Sequence, residues 1–229
     1  MKDKNLIICD IDGTLANVQH RLHYIKNPDG SKKPYKERDW DSFHKACVDD
    51  TLYKDVREIL WNIYDAGRRR EFSDRIVYFF SGRSEVVRKE TEEWLREHVV
   101  SPSMCEYGEK PNLYMRKEGD IRNDIEVKRE MIKTLKIHKW NSTGPHFPPE
   151  HITPDDVLCI LDDRQGVVDM WRQEGFRCLQ VDAWEEPRTR TSELGGGKSA
   201  GVNQPTVPTP PTLETPDKNL SEIKENDNG

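Results

Sequence analysis

The chain has 229 residues, 34% of them charged and 34% hydrophobic, with 42 acidic and 36 basic side chains and a formal net charge of −6. That length holds one ordinary domain, with or without a tail. Residues 185–229 carry 8 acidic and 5 basic side chains, which leaves 34 and 31, a net of −3, for residues 1–184. So nearly neutral a body excludes a broad basic field for long duplex nucleic acid, though not a local Arg/Lys patch for a strand end. No apolar run reaches the length of a membrane span. Met1-Lys2-Asp3-Lys4 runs directly into a strand pattern and lacks the apolar region of a signal peptide. The cysteines (Cys9, Cys47, Cys105, Cys159 and Cys178) include no CxxC pair, and their odd number reads as reduced, buried thiols of a cytoplasmic protein.

In chain order, short apolar runs predict strands at Leu6–Asp10, Ile76–Phe80, Leu113–Met115, Val157–Leu161 and Arg177–Val181. Helical spacing lies between them. Val56, Ile59, Leu60 and Ile63 form one stripe, with Gly67 as a C-terminal stop. Ser84 caps a helix carrying Val87, Trp94 and Leu95, and Asp124 caps another with Val127, Met131 and Leu135 facing inward. Val167, Val168 and Trp171 mark a short helix ending before Gly175, with Trp171 in the core. Strands alternating with helices predict an α/β domain with a mainly parallel sheet over residues 1–185.

Residues 20–50 interrupt the pattern as a small cap or flap that would hang over the end of the first strand. Within it Asn27-Pro28-Asp29-Gly30 is a turn and Tyr35–Cys47 is weakly helical. Trp40 and Phe43 either pack this flap against the body or stack on a base. His20 and His23 read as polar loop residues, and Arg68-Arg69-Arg70 as cations favoured at a helix end. Residues 138–156 read as a surface loop. Residues 186–229, rich in Pro, Gly and Thr, read as a disordered tail. Gly197-Lys198-Ser199 echoes a phosphate-binding loop without its first glycine or preceding strand.

The chemistry concentrates in four separated elements. Asp10-x-Asp12-Gly13-Thr14 follows the first strand, and residues i and i+2 of a strand share a side, so two carboxylates emerge together. Such a pair needs a cation, a shared proton or separate roles. Phe80-Ser81-Gly82-Arg83 ends another strand, Lys128 lies in the first turns of a helix, and Asp162-Asp163-Arg164 ends a further strand. A doubly wound sheet gathers such ends into one crevice. Asp10 and Asp162 supply the one or two carboxylates that Mg²⁺ takes. Asp10 suits a nucleophile, Asp12 a general acid and then base, and Ser81 and Lys128 donors to anionic oxygens. Asp124, four residues before Lys128, shares its helix face and can position the amine.

This ordered set resembles the haloacid dehalogenase (HAD) phosphatase superfamily over residues 5–182. The resemblance implies a Rossmann-like fold, Mg²⁺-dependent phosphoryl transfer to an aspartate, the main-chain carbonyl of Asp12 as a metal contact, and Asp163 orienting the metal's water shell or Lys128. Residues 119–135 and the run Asp162-Asp163-Arg164-Gln165-Gly166-Val167-Val168-Asp169-Met170-Trp171-Arg172 look like the 3′-phosphatase domain of phage polynucleotide kinase. By that resemblance Arg21 and Arg83 bind phosphate or the terminal nucleotide, supported by Asp50, with Thr14 and Gly82 completing the loops. The segment between Arg21 and Asp50 is longer than in that family, and the kinase half is lacking.

The expectation is thus a Mg²⁺-dependent phosphomonoesterase with an aspartyl-phosphate intermediate, acting on a phosphorylated nucleic-acid end as a 3′-phosphatase in a phage or prokaryotic repair setting, without kinase activity. A nucleotidase acting on free mononucleotides is the alternative, and a non-enzymatic scaffold using its tail is a third reading. The sequence names no partner for that tail.

Overall fold

The computed structural model describes residues 4–68, 75–104, 110–137, 140–141, 144–145 and 149–184, all within the compact unit Met1–Pro187. The tail and Cys105 lie outside the described residues. In chain order the elements begin with β1 (Leu6–Asp10), β2 (Ala16–Asn17), α1 (Trp40–Lys45), β3 (Thr51–Leu52), α2 (Lys54–Arg68) and β4 (Ile76–Ser84). There follow α3 (Arg88–His98), β5 (Asn112–Arg116), α4 (Asp124–Thr134), β6 (Lys136–Ile137), β7 (Trp140–Asn141), β8 (Gly144–Pro145), β9 (Glu150–His151), β10 (Val157–Arg164), α5 (Gln165–Gln173) and β11 (Cys178–Trp184).

The main sheet has the order β11-β10-β1-β4-β5 and every pairing in it is parallel. β1 sits in the middle, and all five of its residues are buried. Its alternation sorts the core into two layers. Ile7 and Cys9 pack with Leu60, Trp94 and Leu95 of α2 and α3, while Leu6 and Ile8 pack with Val127, Met131, Val168 and Trp171 of α4 and α5. Helices therefore cover both faces, which is why the strands read as unbroken apolar runs. Cys9, Cys47, Cys159 and Cys178 are free and buried.

β4 and β10 run further than their apolar stretches, through Ser84 and Arg164. Their polar ends stay extended because Ser84 pairs with Arg116 and Arg164 with Trp184, each beyond a register shift. Three other expectations are corrected. Gly67 does not stop α2, which continues to Arg68; a Cβ at Gly67 would stand 2.5 Å from the Arg75 side chain, so glycine makes room for that crossing. Asn123, not Asp124, caps α4, its side chain accepting from the Glu126 amide. The expected 138–156 loop carries short strands: β7 pairs with β8 within it, and β9 pairs with β6 just before it, both antiparallel and too brief to leave an alternation. Ser84 accepts from the Val86 amide as the sequence predicts, but it caps a 3-10 turn that precedes α3.

The insertion after β1 is closed at its base by the antiparallel pair β2–β3, Ala16 opposite Leu52 and Asn17 opposite Thr51. It contains 3-10 turns at Gln19–Tyr24, Tyr35–Glu37 and Ala46–Asp49 around α1, which Asp39 caps through the Ser42 amide. The Asn27–Gly30 turn forms, with Gly30 in the left-handed region. Among the described residues no helix is long and apolar enough to cross a membrane.

Candidate active site

The C-terminal ends of β1, β4 and β10 and the start of α4 converge, and two ion-pair groups form there. In the first, Lys128 Nζ lies 2.8 Å from Asp10 Oδ1 and 2.8 Å from Asp162 Oδ2. Its side chain is 2% exposed, so a solvated helix lysine is excluded. The parity of β1 explains the meeting: Asp10 continues the side of Leu6 and Ile8, the side that α4 covers. Asp162 also accepts from the Trp171 indole at 3.2 Å and from the Arg164 amide at 3.3 Å. Asp163 accepts from the Thr14 hydroxyl at 3.4 Å, and its backbone carbonyl accepts from Gln180 at 3.0 Å. Gly13 has φ +88°, and a Cβ there would stand 2.2 Å from the Asp163 carboxylate, so both the turn and the close approach require glycine.

Carboxylate oxygens of Asp10, Asp162 and Asp163 lie within 4.8 Å of one another, and all three residues are buried. Burial pushes the Asp10 carboxyl up against the pull of Lys128, and it pushes Asp163 up to about 6. Burial also works against the Lys128 ammonium, but Asp10 and Asp162 hold its proton firmly in place. Three carboxylates with one ammonium leave a deficit of two positive charges when all are ionised. An all-oxygen donor set with that deficit fits a hard divalent cation.

The second group surrounds Asp12. Arg21 places Nε 2.7 Å from Asp50 Oδ1 and one terminal nitrogen 2.8 Å from Asp12 Oδ1. Arg83 donates from Nε to Asp12 Oδ1 at 2.8 Å and from a terminal nitrogen to Asp50 Oδ2 at 2.6 Å. Both arginines and Asp50 have no exposed side-chain surface, whereas Asp12 is 22% exposed. Arg21 also donates to the Phe43 carbonyl and lies 4.3 Å over that ring, and Trp94 donates to the Asp50 carbonyl, so the insertion is bolted to the body here. Burial would raise the Asp12 carboxyl, but Arg83 and Arg21 outweigh it and hold it down to about 2. Burial raises Asp50 despite the same two arginines. β1 ends at Asp10 and Asp12 lies in the turn beyond it, and the two carboxylates take separate cations, Lys128 for Asp10 and the two arginines for Asp12.

The sequence reading set Arg21, Arg83 and Asp50 against the substrate; in this structure their charged groups pair with one another and with Asp12. The expected pairing of Asp124 with Lys128 is corrected. The Asp124 carboxylate is bonded by Arg116 and Arg164 rather than by Lys128; burial pushes its pKa up, but the charges of Arg164, Lys128 and Arg116 together bring it down. Gly82 lets it sit there, since a Cβ would stand 2.7 Å from Asp124 Oδ1. Ser81 is fully buried, its hydroxyl oxygen accepting from the Arg83 amide at 3.2 Å. His20 reaches the Ala46 carbonyl and His23 the His20 carbonyl, as polar loop residues. Phe43 is buried as flap packing, while Trp40 stays 37% exposed. Sequence reasoning missed the Trp171 indole, the Arg116–Asp124–Arg164 bracket and His44. Only Arg164, adjacent to the paired aspartates, carried a local signal.

The profile of the polynucleotide kinase PNKP phosphatase domain matches residues 4–144 and 149–185. A protein of the Autographa californica nuclear polyhedrosis virus, assigned as a bifunctional polynucleotide kinase/RNA ligase, is 24% identical over 169 residues, covering 72% of this chain and 17% of that protein. Among solved structures, a chain of the Pnkp1/Rnl/Hen1 complex is 24% identical, with a TM-score of 0.49 over 80% of this chain and 47% of its own length. A haloacid dehalogenase-like hydrolase from Streptococcus pneumoniae is 12% identical, with a TM-score of 0.44 over 79% of this chain and 85% of its own. The chain therefore spans less than half of the viral relative and of the repair-complex chain. With its parallel five-stranded HAD-like sheet and its paired carboxylates at the strand ends, this chain belongs to the family of polynucleotide kinase PNKP phosphatase domains.

Proposed function

We propose that the domain is a Mg²⁺-dependent phosphomonoesterase that removes the 3′-phosphate from a nucleic-acid end through an aspartyl-phosphate on Asp10. The observation that carries this reading is the buried cluster of Asp10, Asp162 and Asp163 around Lys128, at the C-terminal edge of the sheet. Asp10 and Asp162, with the Asp12 carbonyl, would hold the ion, which when bound offsets the charge of the phosphoryl oxygens. In the first step an Asp10 oxygen attacks phosphorus, the bond to the sugar oxygen breaks, and that oxygen takes a proton. In the second, water attacks the acyl phosphate, loses its proton to a base, and frees Asp10 and inorganic phosphate. Lys128 keeps its charge beside both carboxylates and offsets charge on the transferring group, and Ser81 holds a phosphoryl oxygen.

Asp12 is the proton-handling group, the one member of its network open to the crevice. Held ionised by Arg21 and Arg83, it is ready to act as the base of the second step. Donating a proton in the first step requires one of those contacts to loosen, and Asp50, bound to both arginines, can retain them when it does. Arg21, Arg83 and Asp50 are on this reading positioning residues. Thr14 and Gly13 place Asp163, while Gly82 and Asp124 brace the ends of β4 and β10. Membership of the family supports the choice of a nucleic-acid end.

The test is phosphate release from a 3′-phosphorylated oligonucleotide, a 5′-phosphorylated one and free mononucleotides, each with Mg²⁺ and with EDTA. Release confined to the 3′-end and lost in EDTA is expected. Preference for mononucleotides would move the activity to nucleotide metabolism with the same catalytic groups, and full release in EDTA would remove the metal from the account.

A further inference from the structure

The short helix α1 carries features that anchoring the insertion does not use. Phe43, on its inner side, already serves that purpose beneath Arg21. Trp40, one turn before His44, leaves 37% of its surface open and lies nearly parallel to the His44 ring, with centroids 6.0 Å apart and planes at 26°. His44 is 9% exposed, and its Nδ1 is buried without a hydrogen-bond partner. A buried, unpartnered ring nitrogen costs stability that packing alone does not explain.

Position gives these two rings an order. Phe43 accepts from Arg21, and Arg21 in turn reaches Asp12, so α1 stands one side chain away from the proton-handling carboxylate. The His44 ring lies against Trp40, and the charges of Asp12, Arg21, Arg116 and Arg83 all act on its imidazole, so α1 stands within electrostatic reach of the carboxylate centre. Burial, its largest influence, keeps that imidazole neutral down to about 4, so it offers a hydrogen bond rather than a charge. Leading outward from the phosphorus that Asp10 attacks, a nucleotide presents first its sugar and then its base.

We propose that α1 recognises the nucleoside bearing the phosphate, Trp40 stacking on its base and His44 Nδ1 hydrogen-bonding to its sugar. This rests on the nucleic-acid phosphatase reading above and names what that reading leaves open, namely what selects a nucleotide end over another phosphomonoester. Stacking tolerates any base, so the device predicts nucleotide selectivity with little base preference.

The test compares 3′-phosphorylated oligonucleotides whose terminal nucleotide has a base or is abasic, with acetyl phosphate as a substrate lacking a nucleoside. The assayed proteins are the full chain, Trp40→Ala, Trp40→Phe, His44→Asn and His44→Phe, each checked for cooperative unfolding. Wild type is expected to favour the base-bearing end over the abasic one by roughly 5- to 150-fold in kcat/KM, the worth of one stacked base. Trp40→Ala is expected to collapse that ratio towards one through KM, and Trp40→Phe to keep most of it. His44→Phe, which keeps a ring but no hydrogen-bonding nitrogen, is expected to raise KM for both ends, and His44→Asn to restore part of the loss. Equal base-bearing and abasic rates in wild type, or an unchanged ratio in Trp40→Ala, would overturn the inference while leaving the phosphatase reading standing. Turnover of acetyl phosphate with no turnover of either oligonucleotide would overturn the nucleic-acid reading itself, and the inference with it.

Discussion

Lys128→Met is the perturbation with the largest expected effect, because the ammonium is the only cation paired to Asp10 and Asp162 among the described contacts. Methionine keeps most of the volume and leaves three buried carboxylates facing one another. Removing one partner of a buried ion pair costs about 3–5 kcal/mol. For a domain of this size each kcal/mol lowers the melting temperature by about 2–4 °C, so the variant melts roughly 6–20 °C below wild type in EDTA at about pH 8. The sign of the pH dependence follows from the same cluster. Burial raises the Asp10 carboxyl and brings Asp163 up to about 6. An acid whose folded pKa is raised contributes stability that is complete below its unfolded pKa and lost as pH rises through the folded value. Protonation near pH 5 therefore relieves the unpaired charge, and the gap between variant and wild type narrows. Because the comparison is made at each pH, contributions common to both proteins cancel. Circular dichroism melts in EDTA at about pH 8 and about pH 5 read both effects. A gap under about 2 °C at the higher pH, worth less than one kcal/mol, would refute the buried-pair reasoning.

Other outcomes follow from single contacts. Gly13→Ala drives a Cβ into the Asp163 carboxylate at a left-handed backbone position, and is expected to lower the melting temperature and weaken Mg²⁺ binding measured by calorimetry. Trp171→Phe keeps the packing but removes the indole bond to Asp162, with an expected loss of roughly 10- to 100-fold in metal affinity; unchanged affinity would make that bond incidental. His44, held neutral to about 4 mainly by burial, contributes stability that is present above its unfolded pKa near 6.5 and lost as pH falls through 4. That contribution is on the order of 3 kcal/mol, so His44→Gln should flatten the acid side of the stability profile in urea titrations. Asp50→Asn is expected to lower kcat more than it raises KM and to shift the acidic limb of the pH–rate profile, since Asp50 reaches Asp12 only through Arg21 and Arg83.

The sheet and the carboxylate ends of its strands were legible because both are written locally. Leu6–Asp10 and Val157–Leu161 are apolar runs that end in aspartates, and a parallel sheet needs little more. Lys128 was found through the family pattern, and its burial follows from its place on the inner face of α4, beside Val127 and Met131. The Asp12 network was legible in membership but not in connectivity. Arg21, Asp50 and Arg83 come from an insertion and a distant strand, and only the closure of β2 on β3 brings them together. Asp124 was assigned to Lys128 by helical spacing, yet Arg116 and Arg164 reach it across the sheet and win. Trp171 has a stripe position that explains its packing, which hides the indole bond to Asp162. His44 gave no signal, because an unpartnered nitrogen is visible only once the surrounding atoms are in place.

The most direct test of the central claim is a rapid-quench experiment with a radiolabelled 3′-phosphorylated oligonucleotide and Mg²⁺, followed by peptide mapping. The account predicts a labelled phosphoryl group on the peptide containing Asp10, formed and consumed at rates compatible with turnover and absent in Asp10→Asn. Label on a different residue, or full turnover by Asp10→Asn, would contradict it.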